Sequence, residues 1–317
     1  MIIVPVTSLC IAVAAAFYVR PASSLSVKGR APSRTGRLSA TNHAIKQLDN
    51  ITLTWWTRRQ WLATLSLMPL LSQAESPPPL RAILDQNSYS WLVYAPASNT
   101  TTTTTATIPL IVFLHGAGKN ERDVWNLADV TGEHAGLLPS LIASNQAPAD
   151  LTDNFAVLMP YSQNKPSFYD EPRSKLLAFI DWAVEHELPK HVDPKRVYLF
   201  GFSDGATLGI ELMTTRRFAG AVVCSYGFTG ILPKLALQRL SNLPMWIFHS
   251  QDDAIFPVRC SDQLVESLKQ VSTNPGIIRY TRFDVDPEGF SGAVRGHTTG
   301  ITASKAPQVY RWLKSLK

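Results

Sequence analysis

Apolar residues fall along this chain in short blocks separated by longer amphipathic stretches. Continuous or β-branched apolar runs occupy 91–95, 110–114, 155–159, 196–200, 220–224, 245–249 and 277–283. Each has the length of a strand and is bounded by turn residues. Between them the apolar period lengthens to that of a helix over 137–143, 174–188, 206–214, 232–240 and 261–271, with a last such segment at 307–316. In 174–188, Leu177, Ile180, Trp182 and Val184 form the apolar side, Asp181, Glu185 and Glu187 lie elsewhere, and Pro189 ends the helix. Strands that read as unbroken apolar runs are covered on both faces, which alternating crossover helices would do. The alternation therefore predicts a single α/β domain with a mainly parallel sheet. The six-threonine tract at 100–105 separates the first two runs and reads as the elongated loop of a hairpin.

Composition narrows the class. With 317 residues, 45% hydrophobic and 17% charged, the chain can bury a full core and is neither disordered nor a polytopic membrane protein. Three cysteines, Cys10, Cys224 and Cys260, cannot build a multi-bridge framework, and without a CxxC pair they do not suggest structural zinc. The net charge of +6 is unevenly spread. Residues 1–74 hold eight Lys/Arg and one acid, whereas the remaining 243 residues hold 22 basic and 23 acidic groups. The folded part is near neutral, so nucleic acid is not an expected partner.

Residues 1–74 read as an address in three parts. Residues 1–16 carry an uncharged apolar stretch closed by Ala14-Ala15-Ala16, the pattern of a secretory signal peptide; no Lys or Arg precedes it, and an uncleaved signal anchor has a similar composition. Residues 17–56 begin with Phe17 and are rich in Ser, Thr and basic residues, with no acid before Asp49, the composition of a transit peptide. This order is similar to the bipartite presequences of algal plastids wrapped in extra membranes; a disordered secreted N-terminus is the alternative. Residues 57–74 place Arg58-Arg59 before a modest apolar run and end in Ser72-Gln73-Ala74, which resembles a twin-arginine signal used internally. The expected destination is the plastid, in the thylakoid lumen, with secretion or the endomembrane system as the alternative. Residues 75–317 are then the folded α/β domain.

The chemistry is concentrated where strands end. Gly201-Phe202-Ser203-Asp204-Gly205 follows the strand ending at Phe200 and precedes a helix, the context of a G-x-S-x-G nucleophile elbow. Flanking glycines permit the sharp turn, so Ser203 is the candidate nucleophile. Upstream, His115-Gly116-Ala117-Gly118 closes another strand. Attack on a carbonyl builds charge on oxygen, and the backbone N–H groups of Ala117 and Asp204 are the candidate donors to it. His115, beside the glycine turn, is expected to orient the loop. The general base must be a histidine held by an acid, both following the nucleophile. His297, just before the terminal helix, is the candidate base. Asp253, in the loop after the strand Met245-Trp246-Ile247-Phe248-His249, is the candidate acid, with Asp252 as runner-up. His43, His134, His186, His191 and His249 read as surface or packing residues, and Cys224 and Cys260 as buried small residues.

These residues resemble the α/β-hydrolase superfamily and, within it, the phospholipase/carboxylesterase and predicted-peptidase/esterase-type families. The resemblance covers residues 89–317 and rests on His115-Gly116-Ala117-Gly118, on Val192-Asp193-Pro194-Lys195-Arg196-Val197-Tyr198 leading to the elbow, on Trp246-Ile247-Phe248-His249 leading to Asp253 and Pro257, and on Gly296-His297. It implies an acid four residues after the histidine of an H-G-x-x-D-x-x-V-P segment, which selects Asp253. Ser250 and Phe256 depart from that segment, and Asp204 stands where many relatives carry Gln, Met or a small residue. The expected function is a serine hydrolase cleaving small-molecule or lipid carboxylic esters, or thioesters, through an acyl-enzyme, without metal or organic cofactor. A membrane-surface substrate is compatible, and the sequence sets no oligomeric state. A catalytically silent binding module, a peptidase or an acyltransferase are the alternatives. The stretches 161–173 and 284–295 are expected to border the site as lids. A histidine must be neutral to act as base, so acidification through its reference pKa of about 6.5 should lower activity.

Overall fold

Leu110, Val112 and Leu114 pack on one side of a central strand and Ile111 and Phe113 on the other, and all five are fully buried. The same alternation separates Val197 and Leu199 from Tyr198 and Phe200, and Ala221 and Val223 from Val222 and Cys224. Each strand thus feeds two cores, which is why its sequence shows no polar face. The structure, a computed structural model, describes residues 80–316, apart from 85–88, 97–106, 118–122, 132–134, 163–166, 171, 189–191, 216 and 290–293. The proposed address at 1–74 lies outside the described residues.

The strands are β1 (Arg81–Ile83), β2 (Ser90–Tyr94), β3 (Ile108–Leu114), β4 (Ala156–Tyr161), β5 (Val192–Phe202), β6 (Gly220–Cys224), β7 (Met245–Ser250) and β8 (Ile278–Phe283). They form one sheet in the order β1-β2-β4-β3-β5-β6-β7-β8. All pairs from β4 to β8 are parallel, and β1 and β2 add an antiparallel edge. The helices are α1 (Leu138–Ala143), α2 (Ala149–Thr152), α3 (Arg173–His186), α4 (Asp204–Met213), α5 (Lys234–Leu240), α6 (Arg259–Val271), α7 (Thr299–Lys305) and α8 (Pro307–Ser315). Buried residues of α3 to α6 join the core on one face, and those of α1, α2, α7 and α8 the core on the other.

Three expectations are corrected. The tract at 100–105 does not close a hairpin, because β4 lies between β2 and β3; the tract itself lies outside the described residues. In α3 the buried stripe is Leu176, Phe179, Ile180 and Ala183, while Trp182 is 40% exposed and meets Trp91 edge-on at 5.7 Å. Residues 299–305 form a helix that the apolar period did not reveal, since Thr, Gly and Ser dominate it; Ala306 separates it from α8, whose first residue, Pro307, has no amide proton to continue the preceding helix.

The register brings the important loops together. Leu114 of β3 pairs with Gly201 of β5, Phe202 with Cys224 of β6, and Cys224 with Phe248 of β7. The chain after β3 therefore leaves the sheet beside the chain after β5. From β3 the chain steps to β4 on one side, whereas β5 lies on the other; the crevice at such a switch point is where this architecture binds ligands.

Candidate active site

At the end of β5 the backbone turns sharply into α4, and Ser203 sits at the turn with φ 56° and ψ −114°. That conformation is costly for any residue with a side chain, and neighbouring hydrogen bonds hold it in place. The Ser203 N–H donates to the Cys224 carbonyl at 2.9 Å, and the Gly205 N–H to the His115 carbonyl at 3.0 Å. Close approach explains the glycines. A Cβ at Gly205 would lie 2.2 Å from the Leu114 carbonyl oxygen, and one at Gly201 would lie 2.5 Å from the Gly205 oxygen.

His297 arrives from the far end of the chain, between the rings of Phe202 and Phe256, with centroids at 5.4 and 5.3 Å. Its Nε2 is 2.8 Å from Ser203 Oγ and its Nδ1 is 2.8 Å from Asp253 Oδ2. An ionised carboxylate only accepts, so the Nδ1 proton donates to Asp253 and the bare Nε2 accepts from the serine hydroxyl. The other oxygen of Asp253 accepts the Ile255 and Phe256 N–H groups, each at 2.8 Å. Burial alone would raise the Asp253 pKa; hydrogen bonds from His249 and His297, and the charge those imidazoles can carry, hold it well below the usual carboxylate range. Asp252, the runner-up, faces elsewhere: its Oδ1 accepts from the Ser250 hydroxyl and from the Asp286 N–H.

On the opposite side, His115 is buried. Its Nε2 accepts the Ser162 N–H at 3.1 Å, which leaves the proton on Nδ1, where it donates to the Gly116 carbonyl at 2.6 Å. Burial lowers its pKa to about 4, partly countered by that backbone bond, so the ring stays neutral. In a trans peptide, holding the Gly116 oxygen turns the Ala117 N–H the opposite way. A Cβ at Gly116 would lie 3.3 Å from Ser203 Cβ, so this turn abuts the elbow. Asp204 is the first residue of α4, and its N–H has no acceptor within the helix.

The Asp204 carboxylate is engaged by the segment after β4. It accepts from Ser167 Oγ at 2.8 and 2.9 Å and from the Phe168 N–H at 3.0 Å. Burial raises its pKa to about 6, those hydrogen bonds lower it, and Asp170 raises it again. Of the two expected lids, the first is thus tethered to the elbow. The second is tied down as well: buried Asp286 accepts from the Thr298 N–H and hydroxyl and from the Thr302 hydroxyl, fixing the residue next to His297.

Among the remaining candidates, Cys224 and Cys260 are buried free thiols, and His186 stacks on Trp182 at the end of α3. His43, His134 and His191 lie outside the described residues, as does Gly118. His249 is buried, as expected of a packing residue, and in addition its Nε2 is 3.2 Å from Asp253 Oδ2, with both side chains fully buried. The four-residue spacing from His249 to Asp253 is the only trace of this contact in the sequence.

A mainly parallel sheet whose fifth strand ends in a hydroxyl-bearing elbow, with acid and imidazole supplied later in the chain, defines the class: α/β-hydrolases of the serine type. The phospholipase/carboxylesterase family profile matches residues 97–282, more than half of the chain. The chain belongs to the phospholipase/carboxylesterase family. A search of curated proteins finds no match. Among solved structures, a thermostable esterase is 22% identical with a TM-score of 0.57, covering 75% of this chain and 62% of its own. FphF, a fluorophosphonate-binding serine hydrolase of Staphylococcus aureus, is 14% identical with a TM-score of 0.50, covering 75% of this chain and 99% of its own. At these identities the likeness is one of fold; this chain spans less than two thirds of the thermostable esterase.

Proposed function

We propose that the protein hydrolyses carboxylic esters, or thioesters, of small molecules or lipids through an acyl-enzyme. His297 Nε2 takes the proton of Ser203 as Oγ attacks the carbonyl carbon, and Asp253 holds the resulting imidazolium. The N–H groups of Ala117 and Asp204 receive the oxyanion. His297 then returns the proton to the leaving alcohol or thiol. A water molecule, deprotonated by the same nitrogen, attacks the acyl-enzyme; collapse of that second intermediate restores Ser203 and releases the acid.

The pair of 2.8 Å hydrogen bonds made by His297, one to Ser203 and one to Asp253, carries this reading. Hydrolysis of p-nitrophenyl esters by purified protein, with Ser203→Ala as control, tests it. Activity in the parent and its loss in the variant, together with fluorophosphonate labelling of the parent only, is the expected result. Equal hydrolysis by both proteins would remove the reading. A panel of esters, lysolipids and acyl thioesters then ranks the substrates.

We further propose that residues 1–74 direct the chain to the plastid and on to the thylakoid lumen, a reading supported by the order of signal-like, transit-like and twin-arginine-like segments. A fluorescent fusion of residues 1–80 that stayed in the cytosol, or was secreted, would overturn it.

A further inference from the structure

Asp253 Oδ2 receives two imidazoles. His297 Nδ1 stands 2.8 Å from it and His249 Nε2 3.2 Å, and the His249 side chain is wholly buried. The protonation of His249 follows from its neighbours. Its Nε2 faces only acceptors, Asp253 Oδ2 and the Phe256 carbonyl at 3.1 Å, so that nitrogen carries hydrogen. Its Nδ1 is 2.7 Å from Ser261 Oγ, which can donate. Three elements thus meet at one carboxylate: β7 contributes His249, α6 contributes Ser261 behind it, and the chain beyond β8 contributes His297. With Ile255 N–H and Phe256 N–H on the other oxygen, both oxygens of the acid are held.

We propose that His249 is a positioning residue for the proposed hydrolytic site, its one Nε2 proton shared between the Phe256 carbonyl and Asp253 Oδ2, so that the carboxylate keeps its direction and shares its charge between two imidazoles. The inference rests on the triad reading above. Its chemistry concerns how firmly Asp253 holds the His297 proton. A carboxylate that already accepts a second N–H is a weaker acceptor toward the first, because its charge is partly neutralised. His249 therefore fixes the geometry and moderates the pull of Asp253 on the catalytic imidazole. Other carboxylates in these loops are engaged elsewhere: Asp252 with Ser250 and the Asp286 N–H, Asp286 with Thr298 and Thr302.

The test compares parent, His249→Leu, His249→Gln and Ser261→Ala. In His249→Leu, kcat falls about tenfold at nearly constant KM, as expected when support for a reacting group is removed. The acidic limb of the kcat/KM profile moves to higher pH by about half to one unit. The low-field proton resonance of the His297 Nδ1–H moves further downfield. His249→Gln, which restores a donor near the Nε2 position, recovers most of both. A drop in kcat with limb and resonance unmoved would reduce His249 to a packing residue and overturn the proposal, as would failure of Gln to recover either. Should the Leu variant not fold, Ser261→Ala, which frees the imidazole from behind, moves limb and resonance in the same direction by less; an unmoved resonance in that variant overturns the proposal. If the parent lacks Ser203-dependent activity the hydrolase reading fails, while the resonance still decides the contact between His249 and Asp253.

Discussion

The hydroxyl of Ser167 donates to both carboxylate oxygens of Asp204, at 2.8 and 2.9 Å, although the two residues are 37 positions apart. Asp204 thereby has two roles. Its backbone N–H is a proposed oxyanion donor, and its side chain anchors the segment after β4. Nearby on α4, Glu211 accepts from Tyr169 and pairs with Arg173, so the same segment is also held a few residues further along the helix.

The raised pKa of Asp204 makes stability depend on pH in a definite direction. Its reference value is 3.8 and its folded value about 6. Between these values the folded chain keeps a proton that the unfolded chain releases, so this contribution is fully present below pH 3.8 and is lost as pH rises through about 6. The loss amounts to about 3 kcal/mol. Asp204→Asn keeps an acceptor without the charge. Its stability relative to the parent, from urea unfolding, should improve by about that amount between pH 4 and pH 7; parallel curves would contradict the buried charge.

His115 acts with the opposite sign. Its folded value of about 4 lies below its reference 6.5, so the unfolded chain takes up a proton that the buried ring refuses. Stability from this group is present above pH 6.5 and is lost as pH falls through about 4. In the parent the two slopes oppose each other over the range they share. His115→Asn should steepen the remaining rise in stability on acidification, and should lower kcat about 10- to 100-fold by loosening the Gly116 carbonyl and hence the proposed Ala117 donor. An unchanged kcat in a folded variant would separate His115 from the oxyanion turn.

Two adjacent carboxylates give a further contrast. Asp253→Asn should lower kcat by about 10³- to 10⁴-fold, because an amide can present a donor to His297 and favour the wrong tautomer. Asp252→Asn, whose partners are Ser250 and the Asp286 N–H, should leave kcat within a few-fold. Equal losses in the two variants would mean that the acid has been misassigned.

Strain at the elbow predicts a gain in stability. Ser203 has φ 56°, which glycine adopts freely. Ser203→Gly should raise the unfolding free energy by about 1 kcal/mol while abolishing the proposed hydrolysis, whereas Ser203→Thr, with its branched Cβ, should lower it. Thermal unfolding checks the order Gly, Ser, Thr.

The strand-turn-helix at the elbow is legible in sequence because three local demands coincide there: an apolar strand, glycines where any Cβ would come within 2.2 to 2.5 Å of backbone oxygens, and an amphipathic helix. Gly220 to Cys224 and Met245 to Ser250 are legible for the simpler reason that both of their faces are buried. Other features leave little local trace. β1 has three residues, too few for a period. Trp182 follows the helical spacing of an apolar side yet sits at its margin, because Trp91 offers a ring edge there. His249 lies on an apolar strand, where a histidine resembles any other core residue. Its contact with Asp253 is made by the way the loop 251–257 folds back, which no period encodes. The tether between Asp204 and Ser167 joins two stretches, neither of which hints at the other in its own sequence.

Phe168, whose N–H is held by Asp204, rests its ring on His115 with centroids 4.5 Å apart. Diversification of this region is consequently correlated: a borrowed 167–170 segment would transplant well only if the residue at 204 travelled with it. Changes beside the proposed site should accordingly be tolerated more readily as paired exchanges across these two stretches than in either one alone.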